Sequence, residues 1–257
     1  MKKLLPACAF VLASIQALPA AAAEFLFIRH AESLANAGTS TTVDQIYNPT
    51  LTALGFQQAD ALATTLSGLN ITAIYTSAYQ RTQLTIAPTA TAFGLTPTAD
   101  ARTNEWYFGD ATSLSDLQNA GISSVVGQWV QGNLNAKTSL PNGESLNELV
   151  TRVLPAWQEI IAAHKNDDGV VVIVGHSLET GFVMPYLANN VSLSFAVQHS
   201  LTNTGIINVK LDANGTPYVT NWQGTQVAPV PLPAGLPLML SGLSVLGGAG
   251  IARRHRQ

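Results

Sequence analysis

Residues 170–174 read Val-Val-Val-Ile-Val, an unbroken run of β-branched apolar side chains. Successive side chains of a strand point to opposite faces, so such a run offers no polar face to water. It fits a strand covered on both sides, the situation of a parallel sheet with helices packed above and below. Residues 24–28, Glu-Phe-Leu-Phe-Ile, form a second run of this kind, and residues 71–76 a third strand. Between these runs the apolar period changes from 2 to about 3.6. A helix over residues 54–66 places Leu54, Leu62 and Leu66 on its inner face, with Thr52 as its cap. Ser77 and Gln80 form a capping-box pattern that opens a helix running to Phe93, bent at Pro88. Leu146, Leu149, Val150, Val153, Leu154, Trp157, Ile160 and Ile161 mark a long helix. Residues 205–222 read as a hairpin turning at Asn214-Gly215. Residues 104–140 are Gly- and Ser-rich and weakly periodic, which reads as an insertion capping the site. The alternation predicts an α/β fold, a three-layer αβα arrangement with a mostly parallel sheet and no internal repeat.

In sheets of this class ligands bind beyond the carboxyl ends of the strands. The first strand ends in Arg29-His30, the second runs through Ser77 towards Arg81, and the third ends in Gly175-His176. The topology therefore brings two histidines and two arginines to one crevice. Phosphoryl transfer asks for such a set: a nucleophile, and cationic or hydrogen-donating groups that hold the phosphoryl oxygens. Arginine's planar fork matches phosphate geometry. The charge balance points the same way. Lys2, Lys3, Arg253, Arg254 and Arg256 are five of the twelve basic residues, whereas all fifteen acidic residues lie between these ends. An acidic body argues against nucleic acid as a partner, because a phosphate backbone needs a basic footprint. A small phosphorylated molecule suits it better.

The motifs resemble a known family. Arg29-His30-Ala31-Glu32-Ser33 with Asn36 resembles the Arg-His-Gly-Glu-Thr signature of the histidine phosphatase superfamily, the phosphoglycerate mutase-like proteins. Leu51-Thr52-Ala53-Leu54-Gly55 with Gln58-Ala59 resembles the helix start that follows it, and Tyr75-Thr76-Ser77 with Arg81-Thr82 the second arginine motif. Asn104-Glu105 with Phe108-Gly109-Asp110 resembles the segment of the acidic catalyst, Gly143-Glu144-Ser145 with Arg152 the long helix, and Gly175-His176 the second histidine. The resemblance implies a phosphoglycerate mutase-like fold and a phosphohistidine formed on His30. Arg29, Arg81 and His176 would grip the phosphoryl oxygens, and Asn36 would touch phosphate or substrate. Glu105 would protonate the leaving oxygen and then activate water, with neither metal nor cofactor. This chain departs from the family pattern at Ala31 and at Ser177-Leu178, where glycine is usual.

Other readings compete with this one. Residues 170–178 resemble a strand leading into a serine nucleophile elbow, but the elbow needs glycine where Glu179 stands. A phosphate-binding protein without activity is a third class. Within the family, a mutase holds a second anionic group of its substrate with further basic residues. Here Arg102, Lys137, Arg152, Lys165 and Lys210 are scattered, which favours a phosphomonoester hydrolase over a phosphotransferase. Asp110 is the nearest substitute for Glu105. Glu32 and Glu144 are expected to orient neighbours or cap helices, His164 to be a solvated helix-end residue, and His199 to be structural.

The ends carry signals of another sort. Lys2, Lys3 and an apolar run before Pro19 and a tract of alanines read as a secretory signal peptide over residues 1–23, cut after Ala23. Cys8, the only cysteine, precedes most of that run, so neither lipidation nor an internal disulfide is expected. Residues 227–257 combine a Pro-rich linker, an apolar segment long enough to cross a bilayer, and Arg253, Arg254, His255 and Arg256 as a basic stop. Val230-Pro231-Leu232-Pro233-Ala234 resembles the bacterial PEP-CTERM sorting tag, which implies an exported protein whose tail is cut off or kept as a membrane anchor. Residues 24–226 are then the catalytic domain, acting in the periplasm, at the cell surface or outside the cell.

Overall fold

The computed structural model describes residues 23–228, so the signal-peptide and sorting-tag readings fall almost wholly outside the described residues. The chain begins with β1 (Glu24–Arg29), the short α1 (Asp44–Tyr47), α2 (Ala53–Leu66), β2 (Ile71–Ser77), α3 (Gln80–Phe93) and β3 (Thr98–Asp100). After a 3-10 turn come α4 (Leu114–Asn119), α5 (Ile122–Val130), α6 (Leu146–His164), β4 (Val170–Gly175), α7 (Ser177–Leu187) and α8 (Leu193–Gln198). The last elements are β5 (Ile206–Leu211), β6 (Pro217–Trp222) and β7 (Thr225–Gln226). The sheet order is β3-β2-β4-β1-β5-β6-β7. β3, β2, β4 and β1 are parallel, and the β5–β6 hairpin with β7 extends the sheet antiparallel beside β1.

Burial on both faces explains the apolar runs. Phe25 and Phe27 of β1 and Val171 and Ile173 of β4 join Trp157 and Ile160 of α6 and Phe182, Val183 and Met184 of α7 in one core. The alternate residues Leu26, Ile28, Val170, Val172 and Val174 face the other way, onto Leu62 and Leu66 of α2 and Ile86 of α3. The edge of Phe27 packs against Trp157 with ring centroids 4.8 Å apart, a favoured aromatic geometry. Each central strand thus feeds two hydrophobic layers, and the three-layer expectation holds.

Local details correct the sequence reading. The buried stripe of α2 is Gly55, Ala59, Leu62 and Leu66, while Leu54 is 49% exposed. The helix turns its small residues inward because its first turn lies against the backbone of the loop after β1. Thr52 caps α2 as expected, accepting from Gly55 N–H at 3.0 Å and donating to Glu32 Oε1 at 2.7 Å. α3 has no capping box: Tyr79 is its N-cap residue, with no side-chain cap bond, and Ser77 closes β2 with its hydroxyl turned to the site. Pro88 sits inside α3 without ending it. The hairpin turns where expected, with Gly215 at φ +81°. The insertion between Asn104 and Leu140 carries α4 and α5 and buries Trp129 against Trp106 and Phe182, with ring centroids at 4.4 and 5.1 Å.

Gly55 is where α2 meets the loop that follows β1. A Cβ there would lie 2.0 Å from the Glu32 carbonyl oxygen, a backbone atom with no rotamer to give. Gly55→Ala is therefore expected to lower the urea midpoint by the equivalent of about 1–3 kcal/mol, even though alanine is the better helix former.

Candidate active site

The site starts from the register of two strands. β1 and β4 run parallel with Arg29 opposite Gly175, and His30 N–H donates to the Gly175 carbonyl at 3.0 Å. His30 and His176 therefore leave the sheet side by side, with ring centroids 5.3 Å apart. Both are buried, at 3% and 0% exposure. His30 Nδ1 lies 2.7 Å from its neighbour's carbonyl, Ala31 O. A carbonyl only accepts, so the proton sits on Nδ1 and the lone pair on Nε2. Burial first, then the charge of Arg81, pushes the His30 pKa well below the usual value of 6.5. His176 is lowered likewise by burial, Arg81 and His30. Its Nε2 is 2.8 Å from Ser77 Oγ, and its buried Nδ1 has no partner.

Two guanidinium groups flank the histidines. Arg29 Nη1 donates to Leu201 O at 2.5 Å, while its buried Nε is left unpaired. Arg81 Nη1 donates to Tyr47 O at 2.7 Å, and its guanidinium carbon stacks 4.6 Å from the centre of the Tyr79 ring. Burial lowers the Arg81 pKa to about 10, so it keeps its charge at neutral pH. Each arginine is oriented by a backbone carbonyl or an aromatic ring and keeps donors free for a further acceptor. Tyr79 also packs against His176, ring centroids 5.6 Å apart. Tyr47 and Tyr107, 5.3 Å apart, stand near it.

Glu105 joins the site from the segment before α4. Its Oε1 accepts from Glu179 N–H at 2.7 Å and its Oε2 from Leu178 N–H at 3.3 Å. These are free amides of the first turn of α7, the positive end of that helix. Arg152 of α6 fixes the segment: its Nη1 donates to the carbonyls of Arg102 and Asn104 at 2.8 and 3.0 Å. Glu144 holds Arg152 in turn, with Oε1 2.6 Å from Nε. Asp110 stands outside this cluster, exposed and bonded to Tyr107 and Asn142. Glu32 and Glu144 orient neighbours, as expected. His164 departs from expectation, being half-buried between Tyr75 and Asp167, and His199 is structural, stacked on Phe195 at 4.1 Å.

Asn36 is exposed, and its Oδ1 accepts from Ser33 N–H at 3.2 Å and from Asn203 Nδ2 at 3.1 Å. Asn203 also donates to the His30 carbonyl at 3.0 Å. Asn203, Ser77 and Glu179 are the members of this network that sequence reasoning missed. Ser77 was open to the strand-end rule that found His30 and His176, whereas Asn203 lies in a loop with no motif. Ser177 donates through its hydroxyl to Leu201 O at 3.3 Å. Its φ is not positive, and the strained elbow of a serine hydrolase is absent. Among the described residues no cluster of histidine, cysteine and acidic side chains is placed to hold a metal ion.

Comparison with known proteins agrees with this geometry. PE-PGRS family protein PE_PGRS11 of Mycobacterium tuberculosis is 29% identical over 225 residues, 82% of this chain, and the chain spans only 38% of that relative's length. The probable phosphoglycerate mutase GpmB of Yersinia pestis is 30% identical over 168 residues, covering 62% of this chain and 72% of that one. Among solved structures, a mycobacterial glucosyl-3-phosphoglycerate phosphatase superposes with a TM-score of 0.64 at 20% identity, over 79% of this chain and 99% of that one. A phosphoserine phosphatase of Entamoeba histolytica gives 0.60 at 21% identity, over 79% and 98%. Identities this low speak for the fold alone. The sequence profile of branch 1 of the histidine phosphatase superfamily matches residues 25–223, and the chain belongs to that family.

Proposed function

We propose that this protein is an exported phosphomonoester hydrolase that works through a phosphohistidine on His30. The observation that carries the reading is the state of His30: neutral, with its proton held on Nδ1 by Ala31 O and its bare Nε2 beside the buried Arg81 and the half-buried Arg29. In this mechanism Nε2 attacks phosphorus and the ester oxygen leaves. Arg29, Arg81 and the unpaired Nδ1–H of His176 hold the phosphoryl oxygens as charge builds on them. Ser77 donates to His176 Nε2 and so keeps the proton of that ring on Nδ1. Glu105 gives its proton to the leaving oxygen, then takes one from the water that attacks phosphohistidine. Asn203 and Asn36 steady the His30 loop.

Hydrolysis is favoured over a mutase by where the remaining basic residues lie. Arg102 pairs with Asp100 and Glu159, Lys137 with Glu148, and Arg152 with Glu144. Lys210 pairs across the ladder with Glu24 at the start of β1, and Lys165 precedes β4, both at the end of the sheet away from the site. Among the described residues no further cation stands at the site to hold a second anionic group of a substrate. Export rests on the sequence of residues 1–23, and the domain bounds of residues 24–226 on the composition of the two ends; a membrane role belongs to the tail alone.

Release of inorganic phosphate from an aryl phosphate, resistant to chelator, tests the mechanism. His30→Ala should lower it at least ~10³-fold, and Ser177→Ala should leave it within about threefold of wild type; the reverse pattern would overturn the assignment. Glu105→Gln should cost about 10²–10⁴-fold on an alkyl phosphate and less on nitrophenyl phosphate, whose leaving group needs no proton. Mass spectrometry of the protein recovered from its native host should find Glu24 as the first residue, and an intact Met1 would refute export.

The two lowered histidines also set a pH dependence of stability. The unfolded chain takes up protons at both near pH 6.5 while the folded chain does not, so stability falls as pH drops below that value. Melting temperature should decline from pH 6.5 downward, and the slope should shrink in His30→Asn and His176→Asn.

A further inference from the structure

Glu179, on the first turn of α7, is the only carboxyl group among the buried residues of the described chain, with 0% exposure. Its Oε2 accepts from Thr180 Oγ1–H at 2.7 Å and from His176 N–H at 3.2 Å, while Oε1 is buried without a partner. Its own N–H is the donor that holds Glu105 Oε1. The fit is close: a Cβ on Gly175 would lie 2.7 Å from Glu179 Oε2 and 3.1 Å from Thr180 Oγ1, so a side chain at the end of β4 would displace these groups. One side chain thus braces the backbone of His176, while the amide of the same residue carries the acid Glu105. No cation bonds to it, since the donors of Arg152 go to Glu144 and to backbone carbonyls.

We propose that Glu179 is a positioning residue that serves as a neutral carboxylic acid, and that losing its proton turns the phosphoryl pocket off by placing a second negative charge behind His176 and beside Glu105. An unpaired buried carboxylate is costly, and the chemistry around this one favours the acid. Burial pushes its pKa up to about 8, opposed by the Thr180 hydrogen bond and reinforced by the charge of Glu105.

The groups that face it come from each neighbouring element. Glu105 approaches from the segment before α4 and Arg152 from α6; His176 caps its own helix. From the end of β1, Arg29 and His30 act on His176. α8, the other helix packed on α7, carries no titratable side chain over Leu193–Gln198. With Glu179 neutral, an incoming phosphate meets the two guanidinium groups of Arg29 and Arg81. An ionised Glu179 offsets one of these charges, so the first quantity to suffer is the binding of the anion.

This inference rests on the pocket being a phosphoryl site, and the test separates the two readings. The full chain and Glu179→Gln, which keeps both acceptor bonds and has no proton to lose, are compared from pH 6.5 to 9.5. KM and kcat are read with nitrophenyl phosphate, and the Kd of inorganic phosphate by calorimetry. Wild-type KM and Kd should climb above pH 8 towards about tenfold per pH unit, the limit for one ionisation, with kcat nearly flat. Glu179→Gln should bind phosphate at pH 6.5 and hold its KM and Kd level throughout. A flat wild-type profile, an equal rise in the variant, or loss of phosphate binding by the variant at pH 6.5 would overturn the proposal. A wild type that binds phosphate with this profile but turns nothing over would refute the hydrolase reading and leave the role of Glu179 standing.

Discussion

The ladder between β1 and β4 places everything else. Its parallel register ends with Arg29 opposite Gly175, and the next amide along, that of His30, still bonds across the pair. Two histidines far apart in sequence are thereby delivered to the same edge within ring contact of each other. The ladder is rigid because its strands are packed on both faces, Phe25, Phe27 and Ile173 on one side and Leu26, Ile28 and Val174 on the other. Neither strand can slide by one residue without exchanging the two cores, since a slip of one inverts every side chain. The positions of the two histidines are therefore fixed by hydrophobic packing below them.

On that frame the electrostatics are set by small means. Arg29 and Arg81 are aimed by single bonds to the carbonyls of Leu201 and Tyr47. Burial first, then the charge of Arg81, lowers the pKa of both histidines. The Glu105 carboxyl is carried by the first amides of α7, the helix capped by His176. His30, His176 and Glu105 all refer back to the junction between β4 and α7.

Much of this could be read from the letters. Strands buried on both faces write themselves as unbroken apolar runs, and strand ends point to Arg29, His30 and His176. The misreadings have physical causes. Ser77 and Gln80 have the spacing of a capping box, but the chain stays extended through Tyr79, and the Ser77 hydroxyl is claimed by His176. Leu54 fits a helical stripe, yet the close approach of α2 to the Glu32 carbonyl turns Gly55 and Ala59 inward instead. Glu179 reads as an obstacle to a serine elbow, since nothing local shows that a carboxyl is buried there. Asn203 reaches the His30 carbonyl across 173 positions of sequence, a contact that only the closed sheet creates.

The strand order has a consequence in time. β1 opens the described chain yet sits in the interior of the sheet, between β4 and β5. Its two neighbours lie more than a hundred residues downstream, so β1 waits unpaired while the chain emerges, and closing the sheet means paying the entropy of a very long loop. Until residues 170–175 and Asn203 arrive beside it, His30 has neither its Gly175 bond nor the Asn203 amide at its carbonyl. The juxtaposition of His30 with His176 is thus missing from every nascent or unfolded form of the chain, and it exists only once the sheet has closed.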